Sequence, residues 1–129
     1  MANAAMVPSA EVRSFRQLMV WQKAMDLATV TYRAAASLPD YERFGLAREL
    51  RRSVTSIPSN VAEGFNRHSR GAYRAHVAIA LGSAAELETQ IELARRLSYL
   101  SDAESATLLD ACGETARLLQ GLWRALSQG

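Results

Sequence analysis

Between Tyr73 and Ala94 the apolar residues Tyr73, Val77, Ala80, Ala84, Leu87, Ile91 and Ala94 recur at steps of four, three, four, three, four and three. Only a helix gathers residues so spaced on one face; a strand would scatter them over both. A long helix with a single apolar stripe draws most of its stability from other helices packed on that stripe. This run therefore restricts the chain to folds in which helix packs on helix.

Three more segments supply the partners. A first helix is expected over about residues 16–38, with Leu18, Trp21, Met25, Ala28, Tyr32 and Ala35 on one face and Pro39 as its stop. A second is expected over about 42–65, capped by Asp40 and striped by Leu46, Leu50, Val54, Ile57 and Val61. Pro58 removes a backbone donor there, so that helix should be kinked or interrupted near Pro58, with nearby serines and Asn60 satisfying freed groups. Gly64 and Asn66 read as its stop signals. Ser69 can cap the long third helix, to about residue 99, and Ser101 or Asp102 a fourth, to about 127, with Leu109, Cys112, Ala116, Leu119, Trp123 and Leu126 on one face. Gly82, among small residues in mid-helix, suggests close approach of another helix. Short connections between four helices define an all-α, antiparallel up-down-up-down four-helix bundle over residues 15–129. Residues 1–14, alanine-rich and without period, read as a flexible N-terminal arm.

With 129 residues the chain fits one domain, and a single cysteine, Cys112, allows no internal disulfide. No apolar run approaches the roughly 20 residues needed to span a bilayer, and residues 1–11 lack a signal-peptide plan. A cytoplasmic location without membrane contact is the expectation. His68 and His76 stand eight apart, outside the spacings by which bundle helices present metal ligands, and Glu86, Glu88 and Glu92 have no facing Glu-x-x-His motif. Cys112 falls on an apolar stripe as a small core residue. No catalytic, metal or cofactor site is expected, and the protein reads as no enzyme.

Two polar features remain. Ser53, Ser56, Asn60 and Glu63 form a polar stripe on the second helix. It suits a structural network with helix three, through groups such as Ser83 and Glu86, better than a ligand pocket. The second feature is charge. Between Arg43 and Arg74 seven arginines face only Glu49 and Glu63, a local balance of +5. Arg43, Arg48, Arg51, Arg67, Arg70 and Arg74 are candidate nucleic-acid contacts, because the guanidinium fork suits phosphate. Few aromatics interleave them, so recognition would be of backbone and shape. A basic side can equally meet an acidic protein or a neighbouring subunit.

Three motifs stand in order: Phe15-Arg-Gln-Leu-Met-Val-Trp-Gln-Lys-Ala24, Arg51-Arg-Ser-Val-Thr-Ser-Ile-Pro-Ser-Asn-Val-Ala-Glu-Gly64 and Gly82-Ser-Ala-Ala-Glu-Leu-Glu-Thr89. Together they resemble the four-helix bundle family encoded in intervening sequences of bacterial 23S ribosomal RNA genes, over about residues 15–126. The family usually has isoleucine where Val61 stands and often glutamine where Glu49 stands. The resemblance implies a ring-like homopentamer and no catalytic residues. It also implies kinship with accessory variability proteins of diversity-generating retroelements, which bind nucleic acid and a reverse transcriptase. Trp21, Arg52, Pro58, Asn60, Glu63, Gly82, Ser83 and Glu86 are its motif residues and look architectural. The expected function is a non-enzymatic oligomer that binds RNA or DNA through the arginine-rich side; the alternative is a scaffold for an acidic protein partner such as a reverse transcriptase.

Overall fold

A computed structural model describes residues 12–128. The arm expected over residues 1–14 lies outside this range except for its last three residues. Four helices follow in order: α1 (Met19–Ala36), α2 (Leu46–Phe65), α3 (Arg70–Arg96) and α4 (Asp102–Ser127), with short 3-10 turns at Phe15–Gln17 and Asp40–Glu42.

Their ends are set locally. Ser14 and Gln17 make a reciprocal cap on the entry to α1. The second helix begins four residues later than expected, because residues 40–42 turn separately and the Glu42 carboxylate accepts from the Leu46 amide at 3.0 Å. Ser69 Oγ accepts from Ala72 N at 3.0 Å at the start of α3. That helix ends at Arg96, where Ser98 takes φ 62° and the amides of Tyr99 and Leu100 turn back to the Ala94 carbonyl. Ser101 and Glu104 form a capping box on α4, with bonds of 2.9 and 3.0 Å.

Cross-helix contacts fix the order of packing. Ser56 meets Ser83 and Asn60 meets His76, so α2 and α3 run in opposite senses. Cys112 meets Ala84 and Arg70 meets Ala125, which opposes α3 and α4. Helices α1 and α4 are opposed too: Lys23 pairs with Glu114, while Val30 and Ala34 share a groove with Thr107 and Glu104. It follows that α1 opposes α2, and the α2–α3 turn shares one end of the bundle with the start of α1 and the end of α4.

The core confirms the stripe of α3 in full, since all seven of its residues are buried. Leu18 and Ala35 of the stripe expected for α1 are buried, but the rest of the buried set, Val20, Ala24, Leu27 and Thr31, lies about 100° around the helix from that face, while Met25 and Tyr32 are exposed. This helix carries two apolar strips, and periodicity alone does not say which one meets the core. On α4 the buried set includes Leu108, Thr115 and Leu122, each one residue before an expected position, with Leu109, Ala116 and Trp123 at the margin.

Helix α2 continues through Pro58, which is buried, so no interruption occurs there. Asn60 Nδ2 donates to the Ser56 carbonyl at 2.9 Å, and Thr55 Oγ1 to the Arg51 carbonyl at 2.9 Å. Among the described residues no side chain reaches the Val54 carbonyl that Pro58 leaves free. Both glycines depart from their expected roles. Gly64 lies inside α2 against α3, where an added Cβ would sit 2.8 Å from His76 Cβ. Gly82 faces outward with nothing within 4 Å of such a Cβ.

Candidate nucleic-acid interface

The six candidate arginines do not form one patch. Arg43, Arg48 and Arg51 stand at the start of α2, and Arg67, Arg70 and Arg74 follow its end. From Arg48 to Phe65 the helix rises about 25 Å, so the groups sit at opposite ends of the bundle.

The first group is largely engaged. Arg51 is half-buried and donates to the Arg43 carbonyl at 3.0 Å, closing the connection before α2. The Arg43 guanidinium lies 5.1 Å from the centre of the Phe44 ring. Arg48 is exposed. Its neighbour Arg52 binds the Glu49 carboxylate at 2.6 Å, which raises the Arg52 pKa through that hydrogen bond and charge. Within about two helical turns of this end stand Arg33, Arg43, Arg48, Arg51, Arg52, Arg95 and Arg96. Asp40, Glu42, Glu49, Glu92, Asp102 and Glu104 nearly balance them. Tyr41 and Phe44 project here, 77% and 74% exposed, and supply aromatic surface beside arginine.

The other end is different. Among the described residues Arg13, Arg16, Lys23, Arg67, Arg70, Arg74 and Arg124 stand within about two turns of it, against Asp26 and Glu63, with Lys23 also paired to Glu114 at 3.4 Å. Arg67 pairs with Glu63 at 3.0 Å, and Arg70 Nη1 donates to the Ala125 carbonyl at 3.0 Å. Arg74 is exposed and has no ion pair among the described residues. Arg13, Arg16, Lys23 and Arg124 are not near Arg67–Arg74 in sequence. Their proximity is a consequence of alternating helix direction, and grouping charges by helix end would have found them.

The polar stripe is partly a network. Ser83 Oγ donates to Ser56 Oγ at 2.8 Å, Asn60 bonds Ser56, and His76 Nδ1 lies 3.0 Å from Asn60 Oδ1. Glu63 stands 3.8 Å from His76 Nε2. His76 is thus a member that the spacing of the stripe did not reveal. Two expected members are absent. Ser53 is buried with no hydrogen-bond partner among the described residues. Glu86 lies on the exposed side of α3; it makes no ion pair among the described residues, though its charge helps raise the Arg52 pKa. Among the described residues no three His, Cys, Asp or Glu side chains converge on a metal position. No described helix is long and apolar enough to cross a membrane.

These features define an all-α four-helix bundle whose net positive charge collects at one end and whose α2–α3 seam carries a short polar network. Residues 16–121 match the family model of the 23S rRNA-intervening sequence protein, and the chain belongs to that family. It is also similar to a solved structure from Bacteroides thetaiotaomicron, described as a protein of unknown function from the S23 ribosomal protein family. The two share 26% identity at a TM-score of 0.74, over 78% of this chain and 94% of that one. Comparison with curated proteins found no match.

Proposed function

We propose that this protein is a non-enzymatic, self-associating cytoplasmic bundle that binds the phosphate backbone of RNA or DNA through its α2–α3 turn end. The observation that carries the reading is the charge segregation among the described residues: seven cationic side chains against two carboxylates at that end, with Glu114 reaching Lys23 from further along α4, and near balance at the other. A cationic surface of this kind raises the local concentration of a polyanion and releases its counterions on contact. Self-association draws support from the outward strip of α3, where Ile79 and Leu93 are 53% and 46% exposed and flank the bare Gly82. A homopentamer is the assembly that the family resemblance implies.

Titration against structured RNA and duplex DNA at two salt concentrations tests it. Binding should weaken steeply with salt. Replacing Arg67 and Arg74 by alanine should lower the log–log salt slope by about one per lost contact. Replacing Arg43 and Arg48 should change little. No binding at low salt, or equal effects of the two pairs, would sink the reading. The exposed Tyr41 and Phe44 favour a second one, docking of a protein partner such as a reverse transcriptase at the opposite end.

A further inference from the structure

Helices α1 and α3 make no contact with each other among the described residues; they stand at opposite corners of the bundle. On each, an outward face is left uncovered by the described residues, and the two faces are unlike.

On α3 that face is small and acidic at its borders. Ala75, Ala78, Gly82 and Ala85 are exposed there, with Ile79 and Leu93 beside them, where a solvated helix face is ordinarily charged or polar. Apart from His76, the charged residues between Arg74 and Arg95 are Glu86, Glu88 and Glu92, all exposed. By helical geometry they fall on both flanks of the small face. Glu92 is paired with Arg95 at 3.2 Å, whereas Glu86 and Glu88 have no ion pair among the described residues.

On α1 the face is large and free of carboxylates. Trp21, Met25 and Tyr32 share the flank turned away from Lys23, Val30 and Ala34, which border α4. Met25 and Tyr32 are exposed, and Phe15 props the half-buried Trp21 with ring centroids 5.3 Å apart. Arginines of α2 border this strip. Arg51 lines the α1–α2 seam beside Ala36, and the exposed Arg48 stands about 60° further out on the same helix. Both lie at the start of α2, the end of the bundle toward which α3 runs with its three carboxylates in its second half.

We propose that the α1–α2 face of one copy packs on the outward face of α3 of a second copy. Trp21, Met25 and Tyr32 lie over Ala78, Gly82 and Ala85, large against small as in a packed core. Arg48 and Arg51 meet the partner's acidic flanks, and opposite charges suppress other pairings. Matching charge by level sets the copies side by side with α1 and α3 pointing the same way. Because two different faces join, each copy offers one half of every junction, and the contact runs head to tail. A two-fold pairing of α3 on α3 would join mostly small side chains and leave the α1 strip bare. The inference rests on the self-association proposed above and adds which faces meet.

Sedimentation velocity of the full chain tests it with two variants, Met25→Glu with Tyr32→Glu and Ile79→Glu with Leu93→Glu. All four positions are exposed, so the helical spectrum should persist. Each variant alone should be monomeric. An equal mixture should give a species of twice the monomer mass, joined through the two intact faces, and growth should stop there. Should either variant lose its helical spectrum, Tyr32→Ala and Gly82→Leu make the same comparison. Wild-type assembly by either folded variant alone overturns the pairing. So does a mixture that stays monomeric while the wild type assembles; both results leave self-association standing. A monomeric wild type sinks self-association and the pairing together.

Discussion

Asn60 on α2 holds His76 on α3, with Oδ1 and Nδ1 3.0 Å apart. The direction of that bond follows from the other contacts of Asn60. Its Nδ2 donates to the carbonyl and hydroxyl of Ser56, at 2.9 and 3.1 Å, which leaves Oδ1 to accept from the ring. His76 therefore carries a proton on Nδ1. Ser83 joins from α3 through Ser56 at 2.8 Å, so adjacent turns of α2 are tied to positions about two turns apart on α3. Sliding one helix by a residue would break both ties, and in this way the network sets register as well as stability.

Asn60→Ala removes the link to His76 and both links to Ser56 while leaving the ring's donor half-buried. The expected loss is about 1–3 kcal/mol, read as a lower urea midpoint at unchanged slope. An unchanged midpoint would mean that water replaces the network at no cost.

Ser53 makes the opposite prediction from the same helix. Its hydroxyl is buried and has no partner among the described residues. Ser53→Ala removes a desolvated polar group and keeps nearly the same volume, so stability should stay level or rise by about 1 kcal/mol. A loss of that size would show that the hydroxyl has a partner in solution.

The glycines separate contact within the chain from contact between chains. Gly64→Ala drives a Cβ to 2.8 Å from His76 and should lower stability, since two helix backbones must part. Gly82→Ala enters open space in mid-helix and should stabilise the isolated bundle by about 1 kcal/mol. Gly82→Leu should keep the bundle folded and weaken its assembly in sedimentation. Unaltered assembly would remove the outward α3 strip from the interface.

What could be read in the sequence depended on whether one physical rule acted alone. The α3 stripe was legible because that helix has one continuous apolar face, from Tyr73 to Ala94. On α1 the strip of Trp21, Met25, Ala28 and Tyr32 rivals the buried one, and only packing decides between them. Gly64 and Gly82 look alike as letters; their roles depend on how near the neighbouring helix comes. The arginines were legible as a composition bias, but their division between a nearly balanced end and a net basic one needed the direction of every helix. Tyr73 read as core, which it is, and nothing in its spacing shows the unpaired hydroxyl.

Cys112 gives a prediction in chemistry rather than stability. Burial, and then the nearby Glu88, push its thiol up to about 11, and Sγ lies 3.5 Å from the Ala84 carbonyl that accepts from it. The thiolate is the nucleophile, so at pH 8 the folded protein should react with iodoacetamide more than about a hundredfold slower than a free cysteine. Urea should restore the rate. The same shift has a sign in folding. The unfolded thiol ionises near its ordinary 9.0 while the folded one holds its proton, so protons leave the unfolded state first. Stability should therefore fall as pH rises from about 9 and level off near 11. Cys112→Ala should lose this thiol-linked part of the alkaline slope. Fast native-state alkylation at pH 8 would show instead that the α3–α4 seam opens readily enough to expose the sulfur.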